Sequence, residues 1–133
     1  MTAIDLIAKW RNMSDEKTVE FIGNAGGCIV TKNLYEGKGK LKWLLREESA
    51  DLNVDTGWRF FSDIDDSDYI NNPDNLVTCD FNTVANIEPA VLGIYGMPVG
   101  TDLQIVVKGG VITFYDNLTE QQVEVSGKLP WMQ

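Results

Sequence analysis

The spacing of apolar residues predicts a short amphipathic helix at the start of the chain. Over residues 3–13 apolar side chains recur three and four positions apart, which places them on one helical face with Trp10 as a core anchor. Thr2 and Asp5 form a start that resembles a capping box. We therefore expect one helix before the first strand.

After residue 24 the pattern changes to runs that are typical of β-strands. These runs are rich in β-branched and aromatic residues and are bounded by turn residues. The predicted strands cover residues 28–32, 40–46, 57–62, 102–107, 111–115 and 122–125. Glu36-Gly37-Lys38-Gly39 is typical of a hairpin loop between the first two strands, and Gly109-Gly110 of a tight turn between two later ones.

The strand predicted at residues 40–46 alternates strictly, so the sequence also predicts which of its side chains enter the core. One face carries three large apolar side chains, and the other carries three cations. The apolar residues are Leu41, Trp43 and Leu45, and the basic ones are Lys40, Lys42 and Arg46. This basic face could complement acidic residues within the fold.

Two further helices are predicted in the middle of the chain. Ser67 is placed to cap one helical turn that ends before Pro73, and Asp80 to cap a helix through Ile87. Phe81 and Val84 face inward in the second helix. No repeat or linker divides residues 1–133. The sequence therefore predicts the α+β class: a single small domain, mainly antiparallel sheet with two or three short helices.

The composition excludes many catalytic and metal chemistries. The chain has no histidine, which His-dependent nucleophilic catalysis and His-ligated zinc both require, and two cysteines cannot form a four-thiolate site. Cys28 and Cys79 are predicted to be reduced, buried thiols. The glycine-rich stretches fit neither phosphate-binding nor dinucleotide-binding spacing, and the carboxylates lie in polar, loop-like sequence. We expect no enzyme activity, no metal and no cofactor.

The net charge makes some partners and locations unfavourable. With 20 acidic and 11 basic residues, the chain has a formal charge of −9, which disfavours nucleic acid and anionic membranes. Residues 1–5 lack the basic start of a signal peptide, and no apolar run approaches the ~18 residues of a membrane span. These features predict a cytoplasmic protein.

The charge is concentrated in one part of the sequence. Between Glu47 and Glu88 there are eleven acidic residues and a single basic one, Arg59, so this acidic segment has a net charge of −10. It is either a solvated surface or a surface for a basic partner. Arg59 is either held by a neighbouring carboxylate and stacked on a ring, or a direct partner contact.

Residues 63–74 also come close to a calcium-loop spacing. Oxygen-bearing side chains fall at alternate positions, and the candidate metal ligands among them are Asp63, Asp65, Ser67 and Asp74. However, Asp68 occupies the position where a calcium loop needs glycine. A small-ligand or calcium-binding regulatory domain is therefore the alternative function.

One region resembles a known bacterial family. Its motifs are Arg46-Glu47-Glu48, Asp55 to Ser62 (DTGWRFFS), Asp65 to Asn75 (DDSDYINNPDN) and Asp80 to Pro89 (DFNTVANIEP). Together with Cys28 to Lys32, they resemble domain of unknown function 2185, also classed as immunity protein family thirty-three of polymorphic toxin systems. The resemblance covers residues 27–100.

This resemblance implies a small protein that binds and neutralises a cognate toxin. The resemblance identifies no catalytic residue. Its signature residues could equally be fold determinants; they are Gly57, Trp58, Arg59, Asn72, Pro73 and Asn75. The predicted partner is a protein toxin with a basic surface, and the chain is expected to be a monomer or weak homodimer. The predicted partner-binding residues are Trp58, Arg59, Phe60, Asp63, Asp65, Asp66, Asp68, Tyr69 and Asp74, with Phe61 as a further aromatic anchor.

Overall fold

The structure is a computed structural model that describes residues 19–125. All of its strands belong to one sheet. They are β1 (Gly27–Thr31), β2 (Leu41–Arg46), β3 (Asp55–Ser62), β4 (Leu76–Asp80), β5 (Asp102–Lys108), β6 (Val111–Asp116) and β7 (Gln122–Val123). Their order across the sheet is β4-β1-β3-β2-β5-β6-β7. β1 and β3 run parallel, and the other neighbouring pairs are antiparallel.

Three short α-helices connect the strands: α1 (Lys32–Tyr35), α2 (Ser67–Ile70) and α3 (Phe81–Ile87). Two 3-10 turns, Pro73–Asn75 and Pro89–Gly93, follow α2 and α3. The α+β class with a mainly antiparallel sheet is therefore confirmed. The helix predicted at residues 3–13 lies outside the described residues.

The helix caps follow the predicted chemistry. Asp80 caps α3 by accepting a hydrogen bond from the Asn82 N–H (2.8 Å), and the predicted inward residues Phe81 and Val84 are fully buried. α2 is capped by Asp66 rather than by Ser67, because Asp66 holds the extended backbone and accepts from the Tyr69 N–H (2.8 Å). The predicted cap was one residue too late.

The core lies on one face of the sheet. Val30, Phe60, Leu44 and Leu103 are paired in register across four neighbouring strands, and none of them is exposed. Phe81 of α3 packs edge-on against Phe60, with ring centroids 5.8 Å apart. The register therefore builds the core as a transverse row of apolar side chains, covered by α3.

The predicted alternation in β2 was wrong. Leu44 is fully buried, whereas Trp43 is 39 % exposed and Leu45 is only half-buried. The β2–β3 register shifts between Leu41 and Trp43, which is a β-bulge. Because a bulge adds one residue to the strand, Leu41 and Leu44 both face the core although they lie three positions apart.

The predicted hairpin between the first two strands was also wrong. β1 pairs with β3 and β4 and is not paired with β2. α1 follows β1 directly, and residues 36–40 lead from this helix to β2. Parallel β1–β3 pairing requires such a crossover, so the glycine-rich segment serves as a link and does not join adjacent strands. The other predicted turn, at Gly109 (φ 56°) and Gly110 (φ 80°), joins β5 to β6 and is confirmed.

Cys28 and Cys79 are free, buried and directly opposite each other on β1 and β4, which confirms the predicted thiols. Their sulfur atoms are 3.9 Å apart. The hydrogen bond with Cys79, together with burial, raises the pKa of Cys28 well above its ordinary value. The Cys28 thiol therefore stays protonated and is a poor nucleophile near neutral pH.

Candidate functional site

The strand directions divide the acidic segment between two ends of the sheet. We call the end where β3 begins the upper end; β2, β4 and β6 finish there and β5 starts there. The end where β3 finishes is the lower end. Residues 47–54 are at the upper end and residues 63–75 at the lower end, separated by the eight residues of β3, or about 26 Å. A segment that is continuous in sequence therefore forms two surfaces.

The two ends differ in charge when each residue is assigned to its strand end or connection. The upper end has ten acidic and two basic residues, and the lower end has seven acidic and five basic residues. The upper residues are Glu20, Glu47, Glu48, Asp51, Asp55, Asp80, Glu88, Asp102, Asp116 and Glu120, with Arg46 and Arg59. The lower residues are Glu36, Asp63, Asp65, Asp66, Asp68, Asp74 and Glu124, with Lys32, Lys38, Lys40, Lys42 and Lys108.

The predicted partner-binding carboxylates lie at the lower end, where several have structural partners. Asp63 accepts a hydrogen bond from the backbone N–H that precedes β2 (3.0 Å), and Asp66 caps α2. Asp68 and Asp74 are exposed, and no residue between 19 and 125 hydrogen-bonds or ion-pairs with their side chains. Tyr69 is half-buried. Among the predicted carboxylates, Asp68 and Asp74 are therefore the two that are exposed without a side-chain partner in the described part of the chain.

Asp65 links the end of β3 to α1, the helix that follows β1 directly. Its carboxylate accepts hydrogen bonds from the Asn33 side chain of α1 (2.8 Å) and from the backbone N–H of Ser62, the last residue of β3 (2.6 Å). The hydroxyl of Thr31, the last residue of β1, lies near this carboxylate but makes no hydrogen bond within the described residues. Burial acts to raise the pKa of Asp65, but these donors outweigh it and lower the pKa below its ordinary value.

The calcium alternative finds no support in this geometry. Both oxygens of Asp65 are engaged within the fold, and Ser67 begins α2. Within residues 19–125, no three His, Cys, Asp or Glu side chains come close enough to hold a metal ion. We therefore do not propose calcium binding as a second function.

Acidification is expected to destabilise the protein through Asp55 and Asp65. The pKa of Asp55 is lowered, mainly by its hydrogen bonds to Arg59, and that of Asp65 is lowered as well. A carboxyl group with a lowered folded-state pKa stabilises the fold above its unfolded pKa of about 3.9, and this stabilisation is lost as the pH falls through the folded-state value. Urea unfolding between about pH 7 and pH 3 measures the effect.

The control for this prediction is Asp65→Asn. The variant loses an acceptor for the Asn33 or Ser62 donor, so it is less stable than the parent at neutral pH. Its unfolding free energy should also depend less on pH below about 4, because one titrating group is gone. An unchanged pH dependence would show that Asp65 does not contribute.

Trp58 and Phe60 belong to the core, so we no longer propose them as contact residues. Neither side chain is exposed, and the two rings stack with centroids 6.1 Å apart. The Trp58 indole N–H donates to the Tyr95 carbonyl (3.1 Å). A side chain without exposed surface cannot touch a partner while the protein is folded. Phe61, on the opposite face of the sheet, is half-buried.

Arg59 is held by two carboxylates at the upper end. Its guanidinium makes a two-pronged contact with Asp55 (2.8 Å for each hydrogen bond) and donates through Nε to Glu47 (2.7 Å). Its side chain is only 10 % exposed. The hydrogen bonds with Asp55, then those with Glu47, raise the pKa of Arg59 despite its burial. Of the two roles predicted for Arg59, these contacts support the one in which a neighbouring carboxylate holds it. The cation over the Trp58 ring is Arg46, whose guanidinium carbon lies 5.8 Å from the ring centroid.

Gly57 allows the loop at residues 47–54 to approach β3 closely. This is the loop whose ends Arg59 holds. Its φ is +86°, and a Cβ at this position would lie 2.1 Å from the Glu47 carbonyl oxygen. The backbones of Gly57 and Glu47 are hydrogen-bonded (2.9 Å). Gly57 and Arg59 of the DTGWRFFS motif therefore both fix the start of the loop at residues 47–54.

The remaining signature residues also have structural contacts. The Asn72 side chain accepts from the Asp74 N–H (3.0 Å) at a 3-10 turn that starts with Pro73, and the Asn75 amide donates to the Tyr69 carbonyl (3.0 Å). Every signature residue thus stabilises a turn, a loop or the core. The motif by itself does not mark a partner-contact surface.

The basic face predicted for β2 does not neutralise the acidic segment. Lys42 donates to the Ile105 carbonyl (2.7 Å), and Arg46 donates to the carbonyls of Thr56 and Met97 (2.7 Å each). In the part of the chain that is described, the ion pairs are Lys38–Glu36, Arg59–Glu47 and Arg59–Asp55. The expectation of internal compensation was therefore wrong, because these cations bind backbone carbonyls.

Four exposed apolar residues at the upper end were not predicted as contact residues from the sequence: Leu52, Val54, Val99 and Leu118. Their exposed fractions are 46 %, 69 %, 37 % and 75 %, respectively. Each lies in a stretch rich in Asp, Asn, Gly, Pro or Thr, which has no periodic apolar pattern that would predict a core position. An isolated large apolar residue in turn-like sequence was the signal that could have identified them.

Comparisons with known proteins identify the family. Searches of curated proteins and of solved structures found no match. Among the described residues, no helix has the length and apolar character needed to cross a bilayer. A family profile described as "Immunity protein Imm33 domain" matches residues 28–114, from β1 into β6. This match covers more than half of the chain, which therefore belongs to the Imm33 immunity protein family.

Proposed function

We propose that this protein neutralises a cognate bacterial toxin by binding it directly, without catalysis, in the cytoplasm. The observation that carries the proposal is the family match over residues 28–114. The contacts described above are compatible with a binding role. The signature residues support turns and loops, and these loops carry exposed charged and apolar side chains.

The unpaired acidic charge supports a toxin with a basic surface. Arg59 compensates Glu47 and Asp55, but the other acidic residues between Glu47 and Glu88 have no cation within ion-pairing distance in the described part of the chain. Exposed like charges raise the association rate with a partner of opposite charge and disfavour partners of the same sign.

The chemistry of the remaining groups also favours binding over catalysis. The thiols of Cys28 and Cys79 are buried, and the pKa of Cys28 is raised, so neither provides an accessible thiolate. The pKa values of Asp55 and Asp65 are lowered, which keeps both groups ionised at neutral pH, whereas a general acid needs a raised value.

Co-expression with the toxin encoded beside its gene tests the proposal. We expect cells that produce the toxin alone to stop growing, and cells that also produce this protein to recover. Gel filtration with light scattering should show a complex of the two purified proteins and should also report whether the free protein is a monomer or a weak homodimer. An unrelated protein of similar size and charge is the control. Unchanged killing, together with no complex, would contradict the proposal.

A further inference from the structure

Building on the proposed function, we propose that the toxin docks on the upper end of the sheet. The contact surface is formed by three loops, at residues 47–54, 97–101 and 117–121. Exposed apolar side chains on these loops enter the toxin surface, and the surrounding acidic residues meet its basic groups. This places the interface at the end of β3 opposite to the acidic run at residues 63–74.

The topology brings the apolar side chains to one end of the sheet. Leu52 and Val54 lie on the β2–β3 connection, and Val99 lies just before β5 and Leu118 just after β6. β3, β2, β5 and β6 are consecutive strands of the sheet, so three strand spacings, or about 14 Å, separate the outermost of them. This width fits within the footprint of a standard protein interface, about 800 Å² per partner.

Hydrogen bonds already hold these loops in place. In the first loop, Asp51 accepts from the backbone N–H groups of Asn53, Val54 and Asp55 (2.9–3.0 Å). Arg59 bridges Glu47 and Asp55 at its two ends. An ordered loop loses less conformational entropy on binding, so its exposed Leu52 and Val54 can contribute more to affinity.

The other two loops are braced in the same way. Gly100 and Thr101 exchange backbone hydrogen bonds with Arg46 (2.8 Å each). The Asp116 carboxylate accepts from the N–H groups of Leu118 and Thr119 (2.7 and 3.1 Å). All three loops therefore present their apolar side chains from a fixed backbone.

The difference in charge between the two ends of the sheet favours the upper end as the surface that binds a basic partner. At the upper end both guanidinium groups face inward, where Arg46 binds backbone carbonyls and Arg59 binds carboxylates. The lower end also has exposed apolar residues, Ile64, Val107 and Val111, but Lys32, Lys38, Lys40 and Lys108 are exposed there. These lysines repel a basic surface, whereas the upper end attracts it.

Matched variants at the two ends test this placement with the purified toxin of the neighbouring gene. Leu52→Ser/Val54→Ser removes apolar contacts at the upper end, and Ile64→Ser/Val107→Ser does so at the lower end. Glu48→Lys/Glu120→Lys and Asp68→Lys/Asp74→Lys change the net charge equally at the upper and lower ends. All eight side chains are exposed, so thermal unfolding should show that each variant remains folded.

We expect the upper apolar variant to raise the Kd at least about 30-fold, as for residues at the centre of an interface. The upper charge variant should slow association about tenfold at low salt, and less at high salt, because exposed charges are then screened. The lower variants should stay within about threefold of the parent protein, since their side chains lie outside the contact.

The opposite pattern would overturn the placement. If the lower variants weaken binding while the upper ones leave it unchanged, the interface lies at the lower end of the sheet, and the proposed function stands. Equal, small effects at both ends would also reject the upper end. If the parent protein forms no complex with this toxin and does not restore growth, the proposed function itself is contradicted.

Discussion

Replacing Gly57 by alanine is expected to lower the free energy of unfolding by about 4 kcal/mol or more. The new Cβ would lie 2.1 Å from the Glu47 carbonyl oxygen, so one of the two backbone segments has to move. Movement would stretch the hydrogen bond between the Glu47 N–H and the Gly57 carbonyl (2.9 Å). Since natural domains are stable by only about 5–15 kcal/mol, this loss would remove a large part of the stability. Urea unfolding followed by circular dichroism measures the change.

Gly37→Ala is the matched control for this prediction. Gly37 has a φ of +77°, close to the +86° of Gly57, but a Cβ there meets no atom within 4 Å. Its replacement therefore carries only the cost of a left-handed backbone, about 1–2 kcal/mol. If Gly57→Ala is no less stable than Gly37→Ala, close approach of the Glu47 loop does not explain why glycine occupies position 57.

Replacing Arg59 by methionine is expected to cost about 2–3 kcal/mol of stability. Methionine keeps much of the volume but leaves Glu47 and Asp55 without their cation. Full burial of such a pair would raise the cost further, but the Asp55 side chain is 37 % exposed and water can replace part of the contact. Without the cation the pKa of Asp55 should also rise toward its ordinary value, which NMR titration can follow.

Arg59→Lys distinguishes the geometry of this contact from its charge. Lysine keeps the charge but lacks the planar guanidinium that reaches Glu47 and both oxygens of Asp55, so we expect only partial recovery of stability. Hydrogen exchange at residues 47–54 should be faster in both variants, because Arg59 holds the two ends of this loop. Parent-like stability and exchange in Arg59→Met would show that Arg59 does not organise the loop.

Most elements were predictable because they depend on local pattern, but the strand β4 (Leu76–Asp80) was not predicted. The strand at 57–62 and the β5–β6 hairpin follow from runs of β-branched and aromatic residues separated by turn residues, and α3 follows from its Asp80 cap. α1, of four residues, was missed, since a single helical turn has no periodicity to detect. The bulge in β2 was also missed because it depends on pairing with β3.

The candidate site was less predictable than the fold. The sequence predicted contact residues in the DTGWRFFS motif, but Trp58 and Phe60 are core residues and Arg59 supports the neighbouring loop. Aromatic residues in a strand are compatible with either face, and their burial depends on which face α3 covers. The exposed apolar residues of the proposed interface, Leu52, Val54, Val99 and Leu118, lie outside the signature motifs.

By itself, the sequence determined the fold class, the family and the excess of acidic charge, because these depend on composition, local periodicity and motif. Only the tertiary structure decided where that charge lies. Since β3 runs between its two halves, the acidic segment is divided between opposite ends of the sheet. Parallel and antiparallel pairing then brings most lysines to one end and distant loops with exposed apolar residues to the other. Strand pairing joins residues far apart in sequence, so no local pattern could show this arrangement.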